Sequence, residues 1–403
     1  MKKLIRPLGL YIHIPFCRRK CAYCDFYSLA GQDGRMDDYL AALTAHLIET
    51  APVASSHTVD TVYFGGGTPS ILGVKRLTKL LKTVQKKYHL SKDAEITLEA
   101  NPESAGDWKD LRALRKAGFN RLSLGMQSGS DRDLVELGRI HTVQEARAAV
   151  EAARKAGFNN LSLDLIYGLP GQAMEDWQTS LEAALALTPE HLSCYGLQVE
   201  EGTPLHARRE TLDLPGDDAQ AEMYLWTVEE LRRRGYAQYE ISNFAKPGRE
   251  SRHNLKYWSL SEYAGFGPGA HSDFGDTRYA YQRDLEGYIR SVQDHTPMLS
   301  EHERIPPMER DSEWIMLRCR TVRGMDPKEF ENRFRRRFTC LLPVLESCRD
   351  AGYAAEEDGC WHLTPRGFLV SNQIIGQLVD ALSAEKCRRA EATARGDFRV
   401  ILE

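Results

Sequence analysis

Residues 115–124 read Arg-Lys-Ala-Gly-Phe-Asn-Arg-Leu-Ser-Leu, and residues 154–163 repeat them as Arg-Lys-Ala-Gly-Phe-Asn-Asn-Leu-Ser-Leu. Each copy holds the end of a helix, a glycine suited to the left-handed position just past a helix C-terminus, and a short buried strand. A repeat of this kind marks the chain as a series of parallel βα units.

The same strand pattern occurs at 9–15, 61–66, 95–102, 121–127, 160–168 and 191–198, with longer helical patterns between. A closed eight-unit barrel takes about 250 residues. Six units fill nearly that much chain here, and no clear seventh or eighth follows. The expected fold is therefore α/β, a partial (β/α)6 TIM-like barrel over residues 1–235. Polar groups close successive strands: Cys17, the loop Gly65-Gly66-Gly67, Glu99, Gln127 and Asp164. In parallel α/β folds the C-terminal strand ends face the ligand, so these residues are expected to converge on one mouth.

Residues 236–304 are rich in Gly and aromatics and lack clean periodicity, which suggests a connecting region folded over that mouth. From 305 to 403 the pattern changes to helices with one hairpin. Asp326-Pro327 makes an N-cap and N1 pair, Asp358-Gly359 a turn between short strands, and a helix follows Pro365. A small helical, winged-helix-like C-terminal domain is expected. The basic run at 333–338 reads as a solvated helix face rather than a nucleic-acid contact, because the formal net charge is only −4.

Hydrophobic content of 42% and charged content of 27% over 403 residues are those of an ordinary globular protein. No apolar run approaches the roughly 18 residues of a membrane span. Arg6, Pro7 and His13 interrupt any signal-peptide core. Of nine cysteines, three are clustered and six scattered. An odd count without an export signal argues for a reducing cytoplasm rather than a disulfide framework.

The clustered three are Cys17, Cys21 and Cys24, in Cys-Arg-Arg-Lys-Cys-Ala-Tyr-Cys. One short loop can wrap an iron–sulfur cube in this way, each thiolate taking one iron and leaving the fourth iron open to a small molecule. Arg18, Arg19 and Lys20 are expected to offset the cluster's negative charge and to lower the thiol pKa values. Structural zinc prefers four closed ligands, usually as two paired C-x2-C knuckles, and no second pair exists here.

This C-x3-C-x2-C loop after a first strand ending His-Ile-Pro-Phe resembles the radical S-adenosylmethionine (SAM) superfamily, in the branch that is similar to oxygen-independent coproporphyrinogen III oxidase. The resemblance runs over almost the whole chain. It implies a [4Fe–4S] cluster on Cys17, Cys21 and Cys24, SAM on the open iron, and an electron donor for the cluster. The same resemblance places Tyr11 and Tyr23 beside SAM, gives its amino acid end to Gly66, Gly67 and Thr68, and sets Glu99, Gln127, Arg139 and Asp164 around it.

Two departures separate the chain from the oxidases. Their pattern has a fourth cysteine two positions beyond the third, where this chain has Phe26, and a long segment before the cluster, where only 16 residues precede Cys17. Both features resemble the HemW-type haem chaperones, whose H-N-x-x-Y-W motif stands here as His253-Asn254-Leu255-Lys256-Tyr257-Trp258. The resemblance implies haem as ligand, an acceptor protein for it, transient contact with membrane haemoproteins, and haem contact by His253, Asn254, Tyr257 and Trp258. An imidazole can ligate haem iron and Tyr and Trp can pack on the macrocycle; capping and core packing account for the same residues in bland terms. His13, His271 and the scattered cysteines are alternative axial ligands. Two enzyme readings compete: decarboxylation of coproporphyrinogen III to protoporphyrinogen IX, and anaerobic haem degradation by a methyltransferase.

Overall fold

A computed structural model of the chain describes residues 6–395. The six expected strands are present as β1 (Arg6–Ile14), β2 (His57–Gly66), β3 (Leu90–Ala100), β4 (Arg121–Gln127), β5 (Leu161–Tyr167) and β6 (His191–Gly196). They lie side by side in chain order and all run parallel. The connecting helices are α1 (Met36–Thr50), α2 (Gly73–Lys87), α3 (Trp108–Ala117), α4 (Val143–Ala156) and α5 (Met174–Leu185), with α6 (Asp217–Arg233) after β6. The repeat works as the sequence suggests. Gly118 and Gly157 take positive φ just past α3 and α4, and Phe119 and Phe158 are buried behind them. Thr142 and Glu145 form a capping box that starts α4.

Parallel strands covered on both faces normally read as continuous apolar runs. Here they alternate. Leu10, Ile12, Val62, Phe64, Ile96, Leu98, Leu122, Leu124, Leu161, Leu163 and Leu192 join the main apolar core. The residues between them include Thr61, Thr97, Arg121, Ser123, Ser162, His191 and Ser193, all polar and all buried. The inside of the partial barrel is therefore polar, and the site grows from that lining.

The stretch 236–304 differs from the expected cover over the mouth. Residues Ser242–Lys256 and Ser261–Arg304 form one compact unit with the chain through Ala237. They extend the same sheet at both edges. Strand β7 (Asn243–Ala245) pairs antiparallel with β6. On the other side β8 (Tyr263–Phe266) lies parallel to β1, followed by antiparallel β9 (His271–Phe274), β10 (Thr277–Tyr281) and β11 (Leu299–Arg304). A seventh parallel strand thus exists, but it sits beside the first strand rather than after the sixth. Helix α7 (Arg252–Trp258) carries the H-N-x-x-Y-W motif, and α8 (Leu285–Gln293) lies between β10 and β11.

The second unit comprises Gln238–Ile241, Tyr257–Leu260 and the chain from Ile305. Its helices α9 (Asp311–Arg318), α10 (Pro327–Phe334) and α11 (Leu342–Asp350) precede a hairpin of β12 (Ala354–Glu357) and β13 (Cys360–Leu363), then α12 (Pro365–Leu369) and α13 (Ser371–Arg395). Trp314, Phe330, Phe334, Phe338 and Leu345 form its buried centre. Asp326 caps α10 through Lys328 N. Asp358 and Gly359 both adopt positive φ, as a two-residue hairpin turn requires. The Arg333 guanidinium donates to the carbonyls of Ser259 and Leu260, so that arginine of the basic run is bound rather than solvated. Among the described residues no helix is long and apolar enough to cross a membrane.

Leu124 and Leu163 hold equivalent places in the two repeat copies and are 1% exposed. Truncating either to alanine is expected to lower stability by about 2–5 kcal/mol, read from urea midpoints, whereas Val135→Ala on an exposed position should move it by less than about 0.5 kcal/mol.

Candidate functional site

The cysteine loop is closed at its base by pairing of Phe16–Cys17 with Leu29–Ala30. Its middle is held by two other βα loops: Ala22 N donates to Leu137 O at 3.0 Å, and Leu205 N donates to Ala22 O at 2.9 Å. Ala22 and Tyr23 pack on an apolar nest of Leu137, Ile166, Leu169, Leu197 and Leu205. Burial pushes the Tyr23 hydroxyl far above its ordinary pKa and raises the Cys17 and Cys24 thiols as well.

Cys17 and Cys21 are joined through polar side chains. Arg139 Nη1 lies 3.3 Å from Cys21 Sγ, and Arg139 Nη2 donates to Asn101 Oδ1 at 2.7 Å and to Gly125 O at 3.1 Å. Asn101 Nδ2 donates to Thr68 Oγ1 at 3.0 Å, and Thr68 Oγ1 lies 3.4 Å from Cys17 Sγ. Burial opposes the charge on Arg139, but Tyr23, Cys21 and Glu103 outweigh it and keep the guanidinium ionised.

The glycine loop closes against the strand that leads into Cys17. Gly67 N donates to Ile14 O, and Thr68 N to Phe16 O, both at 2.8 Å. A Cβ at Gly67 would lie 2.6 Å from Phe16 O, so only glycine permits this approach. Gly66 N donates to Glu99 Oε2 at 3.2 Å, and Tyr63 O–H donates to Glu99 Oε1 at 2.6 Å. At the end of β4 a register shift after Leu124 leaves Gln127 with φ 64, a left-handed conformation rare for a side-chain-bearing residue. Asp164 accepts from Ser123 at 3.0 Å, Ser162 at 3.3 Å and Ser193 at 2.7 Å.

These groups surround a cavity of about 660 Å³ at the C-terminal ends of the strands. It is lined by Cys17, Cys21, Cys24, Tyr23, Gly66, Gly67, Thr68, Glu99, Gln127, Arg139 and Asp164. Tyr11 is not among the lining residues. It lies one layer below, its hydroxyl 3.2 Å from His13 Nδ1 and its ring stacked on Tyr63. Asn101, Ser123, Tyr195 and Arg283 also line the cavity and were not singled out in the sequence. Asn101 alone had a local signal, as the polar residue between a strand end and Pro102.

The donor set has the chemistry of a cluster site. Three thiols stand without a fourth protein ligand, and a guanidinium and a hydroxyl face their sulfurs as outer partners would. Among the described residues no three His, Cys, Asp or Glu side chains make a site for a single metal ion.

None of His253, Asn254, Tyr257 and Trp258 lines the cavity. His253 enters the barrel from the N-terminal half of the strands, away from the cysteines. It is 1% exposed, with Nδ1 2.8 Å from Thr61 Oγ1, its backbone N–H on Glu95 at 3.1 Å, and its ring stacked on Tyr63 at 5.1 Å. Burial pulls its pKa down to about 3. The expectation that this segment folds over the mouth is thus corrected: long-range packing on Thr61 and Glu95 draws it to the other end. His13 is also enclosed, with Nε2 donating to Tyr27 O at 2.8 Å, and Cys194, Cys319 and Cys348 are buried, whereas His271 is exposed.

Burial, helped by the Asp164 carboxylate, raises Glu99 from 4.5 to about 7 despite the Tyr63 hydrogen bond. Between those values the folded chain holds a proton that the unfolded chain has lost, so stability falls as pH rises through this window. Glu99→Gln imitates the protonated form. In the ligand-free protein it is expected to be about 2 kcal/mol more stable than the parent at pH 8, converging with it near pH 5; equal urea midpoints at both pH values would contradict this.

The Radical SAM superfamily model matches residues 11–184, and the HemN C-terminal domain model matches residues 305–370. The chain is 37% identical over 377 residues to "Heme chaperone HemW" of Bacillus subtilis (strain 168), covering 92% of this chain and 99% of that protein. It is 36% identical over 378 residues to "Heme chaperone HemW" of Escherichia coli (strain K12), covering 92% and 97%. The solved structure of coproporphyrinogen III oxidase (HemN) from Escherichia coli, a radical SAM enzyme, superimposes with a TM-score of 0.81 at 25% identity, covering 93% of this chain and 90% of that one. With its six parallel strands, its three-thiol loop at their C-terminal ends and its relatives along nearly its full length, the chain belongs to the HemW family of the radical SAM superfamily.

Proposed function

We propose that this chain is a haem chaperone, which binds haem beside a SAM-bound [4Fe–4S] cluster and passes it to an acceptor protein. The observation that carries this reading is its likeness, over 92% of its length, to proteins named as heme chaperones. Cys17, Cys21 and Cys24 hold the cluster, which supplies one-electron chemistry to SAM when reduced by a donor. Tyr23, Gly66, Gly67, Thr68, Glu99, Gln127, Arg139 and Asp164 surround the SAM, with Tyr11 backing them. Arg139 is the natural partner for a carboxylate, since its guanidinium is charged and lines the cavity.

Haem belongs at the rim of the same cavity. Phe26 is 68% and Tyr195 41% exposed there, and Arg19 and Arg283 line the same mouth. Aromatic faces suit a planar macrocycle and guanidinium groups suit its two propionates. Phe26 also stands where the oxidase pattern has its fourth cysteine, which favours the chaperone over porphyrinogen decarboxylation.

The test is anaerobic reconstitution, followed by separate incubation with haem and with coproporphyrinogen III, each with SAM and reductant. Stoichiometric haem, an intact Soret band and no protoporphyrinogen are expected. The double variant Phe26→Ser/Arg283→Ala should bind haem at least about tenfold more weakly. Protoporphyrinogen that disappears in Cys17→Ala would assign the oxidase reaction instead, and bleaching of the Soret band would assign haem degradation.

A further inference from the structure

The H-N-x-x-Y-W motif has a function to find, because it does not line the mouth. Helix α7 enters the barrel from below, and its first two N–H groups are taken by one buried carboxylate: Arg252 N and His253 N each lie 3.1 Å from Glu95. Lys256 is buried and pairs with Asp60 at 2.7 Å. The helix lies so close to β1 that a Cβ on Gly9 would come within 2.8 Å of Lys256 Cδ and 3.2 Å of His253 Cε1. His253 is thereby fixed in position and in neutral form, with no slack to swing toward a ligand.

His253 belongs to a cluster of three rings. His253 stacks on Tyr63 at 5.1 Å and 26°, and Tyr11 stacks on both, at 6.4 Å from His253 and 6.2 Å from Tyr63. Two of its members, Tyr63 and Tyr11, reach the glycine loop. A Cβ at Gly65 would meet Tyr63, Glu99 and Tyr11 within 2.9–3.1 Å, and Tyr63 O–H holds the carboxyl that in turn accepts from Gly66 N. A displacement of Tyr63 therefore moves Glu99 and the loop together, since rings packed at van der Waals distance transmit shifts rather than absorb them.

We infer that His253 is a positioning residue for SAM: seated under Tyr63, it sets the height of the Tyr63–Glu99–Gly66 relay and so the affinity of the glycine loop for SAM, and it does not ligate haem. This rests on the reading of the mouth as the SAM site. The ring stack, rather than the Thr61 hydrogen bond, carries the effect upward, so an aromatic without ring nitrogens should serve and an aliphatic side chain should not.

The experiment uses the full chain, reconstituted anaerobically, with SAM affinity from equilibrium dialysis, iron and sulfide content, and haem stoichiometry each measured. His253→Leu is expected to weaken SAM binding by about tenfold, with iron, sulfide and haem content unchanged. His253→Phe should restore SAM affinity to within about threefold and keep haem. Tyr63→Phe, which removes only the bond to Glu99, should weaken SAM in the same direction, and adding His253→Leu to it should cost less than the sum of the two single effects. Should His253→Leu fail to fold, His253→Phe and Tyr63→Phe still decide the matter. Loss of haem in His253→Phe would make the imidazole a haem ligand and overturn the inference. Unchanged SAM affinity in His253→Leu and Tyr63→Phe would overturn it too, by reducing the motif to a structural plug. A parent protein that binds SAM but no haem removes the chaperone reading and leaves the positioning role standing; one that binds no SAM removes the positioning role.

Discussion

A buried row of polar side chains inside a parallel sheet is the constraint on which this protein depends. Arg121 is 1% exposed, and its charge acts on both Glu99 and Asp164. Unpaired, any of these groups would cost several kcal/mol in such a place. The three serines that satisfy Asp164 come from β4, β5 and β6, so satisfying one carboxyl fixes the mutual register of three strands. Ser123 and Ser162 occupy the same place in the two copies of the internal repeat. The repeat thus encodes the lining of the barrel as well as its architecture.

What the sequence made legible was local. Strands of alternating composition, glycines past α3 and α4, the Asp326-Pro327 cap and the Asp358-Gly359 turn each carry their own marks, and each forms where those marks place it. The three-thiol spacing is local too. Strand β8 escaped because it has four residues, one of them Gly265, and owes its place to pairing with β1 rather than to its own propensity. Arg121 and Asn101 escaped because neither residue type at a strand end announces its partners. The H-N-x-x-Y-W segment was placed at the wrong end for the same reason. Its aromatic and imidazole groups suit a macrocycle, but the carboxylate that anchors its helix, Glu95, lies more than 150 residues earlier in the chain.

The same frame serves the Escherichia coli oxidase, whose structure overlays this one along nearly its whole length. A shared barrel leaves the chemistry to be decided by side chains at the rim. At this rim, a few residues beyond Cys24, Phe26 offers solvent an aromatic face.

The strap that carries the three cysteines is fastened by contacts with other loops. Ala22 is gripped from both sides by backbone bonds to Leu137 and Leu205, and Tyr23 sits in an apolar nest built by other loops. A change at Leu137 or Leu205 would therefore reach the three thiols through the backbone of Ala22 without touching any of them.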